Sequence, residues 1–152
     1  MHSKGICHRD LKPENILIKT NGSQNPLHQE IKICDLGAAK VLAKDPQGNP
    51  NNTPYVVSRY YRAPELIMGS NKYDCSIDIW SVGCILFELI SRTPLFPGDA
   101  EGLQILEQIQ IKGMPTPTEV RSLKKIIELP VVGLLLKSVD HGQVDIASLL
   151  MK

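Results

Sequence analysis

From Ser76 to Ser91 the chain carries Ile77, Ile79, Trp80, Val82, Cys84, Ile85, Leu86, Phe87, Leu89 and Ile90, with few polar residues between them. A helix that is apolar on nearly every side must be surrounded by other elements on nearly every side. This stretch is therefore read as the buried axis of a helical core. Asp78 and Glu88 interrupt it, and it is too short to be a good membrane span. A carboxylate at Asp78 is costly in such a helix unless hydrogen-bonded, so it is expected to meet buried donors.

Two β-branched runs, Ile16-Leu17-Ile18-Lys19 and Ile31-Lys32-Ile33-Cys34, read as the strands of a hairpin. Thr20 to Glu30 between them, opened by Asn21-Gly22 and containing Pro26, reads as a polar surface insertion. Lys40 to Thr53 has almost no apolar rhythm, and by composition alone it is a linker. Thr93 to Gly98 holds two prolines and a glycine and ends the axial helix. Asp99 is expected to cap the next helix, with Leu103, Leu106 and Ile109 at helical spacing and Gly113 and Pro115 closing it. Thr116-Pro117-Thr118-Glu119 reads as a capping box opening a helix towards Leu129, and Asp145 looks like another cap.

The 152 residues, 42% of them hydrophobic, suit one domain or part of a larger one. A net charge of +1 gives no reason to expect nucleic acid or an acidic membrane as the main partner. Cys7, Cys34, Cys75 and Cys84 form no C-x-x-C pair and no metal-ligand rhythm, so they read as reduced thiols of an intracellular protein, cytoplasmic, nuclear or both. The sequence shows no signal peptide at Met1 and no apolar run of about 18 residues or more that could span a bilayer.

The chemistry concentrates in His8-Arg9-Asp10-Leu11-Lys12-Pro13-Glu14-Asn15, a polar loop between apolar Ile6 and Ile16-Leu17-Ile18. Asp10 can accept a proton, Lys12 can hold a phosphate, and Asn15 can give an oxygen to Mg²⁺. The spacing His-Arg-Asp-Leu-x-x-x-Asn resembles the catalytic loop of protein kinases. Asp35-Leu36-Gly37 then follows the second strand, Ala63-Pro64-Glu65 comes further on, and Ser76 to Cys84 resembles the central helix of a kinase C-terminal lobe. The resemblance covers essentially all of residues 1–152. Leu36 stands where the family usually has phenylalanine, keeping apolar packing without the ring.

The resemblance implies a mainly α fold with a small β-hairpin, a protein-kinase-like C-terminal lobe with the N-terminal lobe absent. It implies phosphoryl transfer from ATP with Mg²⁺ to protein serine or threonine. Asp10 would orient the substrate hydroxyl and take its proton, Lys12 would neutralise the transferring group, and Asn15 and Asp35 would hold Mg²⁺. Lys12 looks like the serine/threonine branch. Asp78 would brace the catalytic loop. Glu65 matches a glutamate whose arginine partner normally lies in helices beyond the chain's reach.

Thr53-Pro54-Tyr55 to Arg62 resembles the activation segment of the CMGC group. Its Thr-x-Tyr suggests the mitogen-activated branch, whereas Ala38-Ala39-Lys40 and Phe96-Pro97-Gly98-Asp99 look closer to the glycogen synthase kinase branch. Arg59 and Arg62 would clasp phosphorylated Tyr55, with a solvated surface pair as the alternative. Arg9 and Lys40 would form part of a second anion pocket, holding either phosphorylated Thr53 or a phosphate already on the substrate. Cys34 is read as a small inert residue rather than a reactive thiol. His2, His28 and His141 show no constellation, and His8 is read as a packing residue.

Met1 to Cys7 looks like the end of a helix leading into the loop. No Gly-rich phosphate loop, strand lysine or partnering helix glutamate occurs in the sequence. Two readings therefore stand: a kinase present here as part of a longer enzyme, with protein substrates and regulatory or scaffold partners, or a non-catalytic interaction module or decoy. The isolated chain is expected to be marginally stable, because the all-apolar helix would lack some of its covering.

Overall fold

The computed structural model describes residues 1–19, 29–42, 52, 58–113 and 116. The chain enters through a single 3₁₀ turn, His2–Lys4, closed by Gly5 in the left-handed region, rather than through the end of an α-helix. Strand β1 (Ile6–Cys7) follows, and the polar loop His8 to Asn15 runs from it into β2 (Ile16–Lys19). Strand β2 pairs antiparallel with β3 (Glu30–Ile33), placing Ile16 opposite Ile33 and Lys19 opposite Glu30. The expected hairpin is present, with its second strand starting one residue earlier than the β-branched run. Thr20 to Asn25 and Pro26 to His28 of its connection lie outside the described residues.

A second pair was not visible in the sequence. Strand β4 (Lys40–Val41) pairs antiparallel with β1, Cys7 opposite Lys40 and Ile6 opposite Val41. Two residues per strand are too few to carry an alternating pattern. Lys40 therefore begins with a strand, and most of the expected linker after Leu42 lies outside the described residues.

Helix α1 (Pro64–Ile67), with proline in its first turn, leads by a loop to α2 (Ser76–Ser91), whose bounds match the apolar run. Asp74 Oδ1 accepts from Ser76 N–H at 2.7 Å and so satisfies one of the free donors at the start of α2. One face of α2 is buried, through Ile77, Asp78, Ser81, Cys84 and Ile85. They pack with Cys7, Leu11, Tyr61, Ala63, Leu66 and Phe96 in the main core. The opposite face is open, with Ile79, Leu86, Leu89 and Ile90 exposed. A helix apolar on nearly every side is thus enclosed on one face only, which is the incomplete covering expected for the isolated chain. The hairpin residues Leu17, Ile18, Ile31 and Ile33 are exposed as well.

The 3₁₀ turn Arg59–Tyr61 is fastened to α2. Ser81 Oγ donates to the Tyr61 carbonyl at 2.8 Å, and the Tyr61 hydroxyl donates to Glu88 Oε2 at 2.7 Å. Helix α3 (Glu101–Lys112) packs on α1 through Ile67, Ile105, Leu106 and Ile109. Its spacing and its closure at Gly113 are as expected, but Asp99 is not its cap. The helix starts after extended Ala100, which has no side-chain acceptor, and the Asp99 carbonyl receives a hydrogen bond from Arg59 Nη1. Gly98 lies against the first turns of α3, where a Cβ would meet Gln104 N at 2.7 Å. The capping box at Thr116 to Glu119 and the helix beyond it, like Asp145, lie outside the described residues apart from Thr116. Among the described residues no helix is long and apolar enough to cross a membrane.

Phe96 is 1% exposed and stacks on Trp80 with ring centroids 5.7 Å apart and planes 12° from parallel. Phe96→Ala is expected to cost about 3–5 kcal/mol of unfolding free energy. That is a large share of a domain's roughly 5–15 kcal/mol, and urea titration followed by tryptophan fluorescence measures it.

Candidate active site

The loop from His8 to Asn15 is held by one buried carboxylate. Asp78, 1% exposed on α2, accepts from His8 N–H at 2.8 Å through Oδ2 and from Arg9 N–H at 2.9 Å through Oδ1. Oδ2 also meets Cys7 Sγ at 3.3 Å and His2 Nε2 at 2.7 Å. Burial alone would raise the Asp78 pKa, but these donors hold it below the ordinary carboxylate value. The same burial, with Asp78 and Cys75 adding to it, pushes the Cys7 thiol far up, so Cys7 remains an S–H donor. Asp78 thus has the buried donors expected for it, and His2 is part of this constellation although the sequence suggested none.

Asp78 also accounts for a strained backbone. Arg9 has φ +66°, a left-handed conformation that a side chain with a Cβ disfavours. Its N–H bond to Asp78 Oδ1 offsets that cost and turns the chain so that Asp10 and Lys12 face the same side.

His8 links this loop to the segment carrying Asp35. Its Nδ1 accepts from Asp10 N–H at 3.3 Å, and Nε2 lies 3.0 Å from the Cys34 carbonyl. One tautomer satisfies both bonds: bare Nδ1 accepts while Nε2–H donates. The Cys34 N–H in turn donates to the Asn15 carbonyl at 3.0 Å. Cys34 therefore acts here through its main chain, and His8 is a bridge more than a filler of space.

Asp10 sits among four donors, the longest contact being Asn15 Nδ2 to Oδ2 at 3.4 Å. Ser58 N–H and Ser58 Oγ each lie 3.0 Å from Oδ1, and Lys12 Nζ is 3.1 Å from Oδ2. Burial works to raise the Asp10 pKa, yet Lys12 and the two Ser58 donors leave it below the usual carboxylate range. The hydrogen bond to Asp10 raises the Lys12 pKa, and the charges of Asp10, Glu14 and Asp35 add to the effect, so the ammonium persists. Ser58 was not singled out from the sequence, because its side chain meets Asp10 only through a contact 48 residues apart.

Asn15 is buried and donates through Nδ2 to the Asp10 carbonyl at 2.8 Å. That bond assigns its amide and leaves Oδ1 as the acceptor for a cation. Asp35 also has a left-handed backbone, φ +60°, with Oδ1 accepting from Gly37 N–H at 3.2 Å. A Cβ at Gly37 would lie 3.1 Å from that same oxygen, so glycine keeps this turn tight. Among the described residues no three His, Cys, Asp or Glu side chains gather into a metal cage. Mg²⁺ does not require one, since it commonly takes one or two protein oxygens and completes its shell with phosphates and water. One carboxylate at Asp35 and one amide oxygen at Asn15 fit that donor set.

The remaining candidates fall into two groups. Arg9 Nε donates to the Ala38 carbonyl at 2.7 Å and Nη1 to the Tyr73 hydroxyl at 3.1 Å. The β1–β4 pairing brings Lys40 alongside Cys7, next to that loop. Tyr73 escaped sequence reasoning because nothing local marks a tyrosine 64 residues from Arg9 as its partner. Arg62 pairs with Glu101 at 2.9 Å, and Arg59 bonds the Asp99 carbonyl. Arg62 is thus paired at the first turn of α3, whereas Arg59 is exposed and bonds a carbonyl just before that helix. Thr53 and Tyr55 lie outside the described residues.

Glu65 lies half-buried in the first turn of α1, and among the described residues no cation pairs with it. Burial raises its pKa, the charge of Asp74 raises it further, and its own backbone N–H offsets part of this.

Compared with known protein families, residues 1–140 match the protein kinase domain.

Two outcomes follow from these carboxylates. Asp78→Asn keeps the shape but turns an amide towards backbone N–H groups, and is expected to cost about 3 kcal/mol in a denaturant titration at neutral pH. The Asp78 pKa is depressed on folding, so its stabilisation exists above the unfolded value and disappears as pH falls through the folded one. The wild-type advantage over the variant should therefore shrink below about pH 4. Glu65 has the opposite sign: the folded protein binds its proton more readily, so ionised Glu65 weakens folding above its folded pKa. Glu65→Gln is expected to raise the melting temperature at pH 7, and the gain should vanish below about pH 4; a lower melting temperature at pH 7 would contradict this.

Proposed function

This chain belongs to the protein kinase domain family over residues 1–140, and from that premise we propose that its site serves ATP-dependent phosphorylation of protein serine or threonine, in a C-terminal lobe of CMGC type. What supports the reading is that Asp10, Lys12 and Asn15 share one loop anchored by Asp78, and that His8 and Cys34 tie the segment carrying Asp35 to it. Phosphoryl transfer asks mainly for positioning and for charge placed around the moving group.

Asp10 is the group that orients the substrate hydroxyl and receives its proton. Its 3.0 Å contact with Ser58 Oγ illustrates how an aliphatic hydroxyl approaches Oδ1. A lowered pKa makes Asp10 a weak base, suited to accepting the proton late, as the hydroxyl oxygen bonds to phosphorus. Lys12, kept protonated beside it, balances charge on the transferred group. Asn15 and Asp35 are the residues to hold Mg²⁺, which when bound neutralises the nucleotide phosphates and draws charge from the leaving group. The Asp78, His8 and Cys34 bonds keep these groups in register. Arg59 and Arg62 fit a clasp for phosphorylated Tyr55, and Arg9 and Lys40 part of a second anion pocket. Protein substrates, regulatory or scaffold partners and an intracellular setting go with this reading.

The sequence supplies no Gly-rich loop or strand lysine for the nucleotide phosphates, so we assign little or no transfer to residues 1–152 acting alone. A second reading, an interaction module, draws support from exposed Leu17, Ile18, Ile31 and Ile33. Radiolabelled phosphate transfer from ATP to a serine peptide by the full-length natural protein tests the first. Asp10→Asn and Lys12→Ala are each expected to lower its rate by about 100-fold or more while the fold persists. Undiminished transfer by Asp10→Asn would remove Asp10 as the base, and no transfer by the wild type would favour the module.

A further inference from the structure

We propose that Glu101, together with the Asp99 carbonyl, is a resident anion for the Arg59–Arg62 pair, holding that turn in place when residue 55 carries no phosphate. This rests on the reading of these arginines as a phosphate clasp, and it adds what occupies the clasp beforehand.

Glu101 Oε1 lies 2.9 Å from Arg62 Nη1, and their side chains are 33% and 13% exposed. A pair this far out of water is stronger than an ordinary surface pair, because solvent screens it less. Glu101 stands in the first turn of α3, where the exposed N–H groups of the helix favour a carboxylate. Arg59 Nη1 donates to the Asp99 carbonyl two residues earlier. Two turns further along α3, Gln108 Nε2 donates to the Arg62 carbonyl at 3.0 Å. The start of α3 thus grips both arginine side chains, and its middle grips the main chain between them and α1.

The contacts act on a short element whose Tyr61 is fastened to α2 but whose two arginines are held from the α3 side. The Arg59–Tyr61 turn has the local bonds Tyr61 N–H to Ser58 O at 3.0 Å and Arg62 N–H to Arg59 O at 3.2 Å. The turn also sits directly after Ser58, whose N–H and Oγ hold Asp10. An anion that fixes Arg62 therefore steadies the donor set on the base. A phosphate carries nearly two charges and three acceptor oxygens against the single charge of Glu101. It can displace the carboxylate from Arg62, but it then replaces an existing bond and does not order a free guanidinium. Glu101 accordingly reduces the dependence of this segment on phosphorylation.

Amide hydrogen exchange of the folded chain, without nucleotide, tests this independently of phosphoryl transfer. Glu101→Gln is expected to speed exchange at Tyr61 and Arg62 by roughly five- to thirty-fold. Exchange in the middle of α2 should stay unchanged, which reports that the fold persists. Phosphotyrosine installed at residue 55 by protein ligation should restore slow exchange in Glu101→Gln and change the wild type little. The double variant Arg62→Gln, Glu101→Gln should exchange no faster than Arg62→Gln alone, since the second change breaks a pair already lost. Unchanged exchange in Glu101→Gln, additive effects in the double variant, or equal slowing by phosphotyrosine in wild type and variant would each overturn the proposal. Because no ATP is present, such a result leaves the roles of Asp10 and Lys12 standing. Loss of transfer by the wild-type enzyme, conversely, leaves the Glu101 contact standing.

Discussion

The carboxylate of Asp78 is the point on which the site depends. It lies on the buried face of α2 and takes the backbone N–H groups of His8 and Arg9. Those two donors would otherwise be unpaired near the core, and a charge there without donors would be more costly still. Each group thus resolves the other's desolvation. The left-handed turn at Arg9 is the geometric product, and it carries Asp10 and Lys12 to one side while Arg9 goes towards Ala38 and Tyr73.

From that anchor, precision passes outward by short polar links rather than by apolar packing. His8 spans from the Asp10 amide to the Cys34 carbonyl, and Cys34 returns a bond to Asn15. The residues proposed to act on phosphate and cation are therefore connected through main-chain groups, which vary little with side-chain motion. Apolar contacts act at a coarser level, gathering Cys7 and Leu11 into one core with Ile77, Ile85 and Phe96 and fixing where α2 lies. The activation-segment end is tied separately, through Tyr61 to α2 and through Arg59 and Arg62 to the start of α3. Two helices thus contact the segments on either side of Asp10, α2 through Asp78 and α3 through Arg62.

Much of this was legible in the residues. The α2 bounds follow from an apolar run flanked by polar and turn-forming residues, and the hairpin from two β-branched runs. Asp78 could be singled out because a carboxylate in an apolar helix has few inexpensive environments. The motif order from His8 to Glu65 pointed to the family that residues 1–140 match. Errors arose where a local rule met a distant contact. Asp99 has a capping residue's chemistry, but its carbonyl receives Arg59 and the helix starts later. For α2, apolar content implied a helix with some covering missing, but content does not specify which face is left open.

By itself, the sequence determined the local elements and the chemical inventory: the carboxylates Asp10, Asp35 and Asp78, the ammonium of Lys12, the amide of Asn15, and the cations Arg59 and Arg62. These depend on spacing and residue type, which act within a few residues along the chain. Only tertiary structure decided the partners. His2 with Asp78, Ser58 with Asp10, Tyr73 with Arg9 and Glu101 with Arg62 are separated by 39 to 76 residues. Hydrogen bonds reach about 3 Å, so such pairs exist only once the core has placed their backbones. No periodicity announces them, because each is a single contact between elements that are otherwise held by different neighbours.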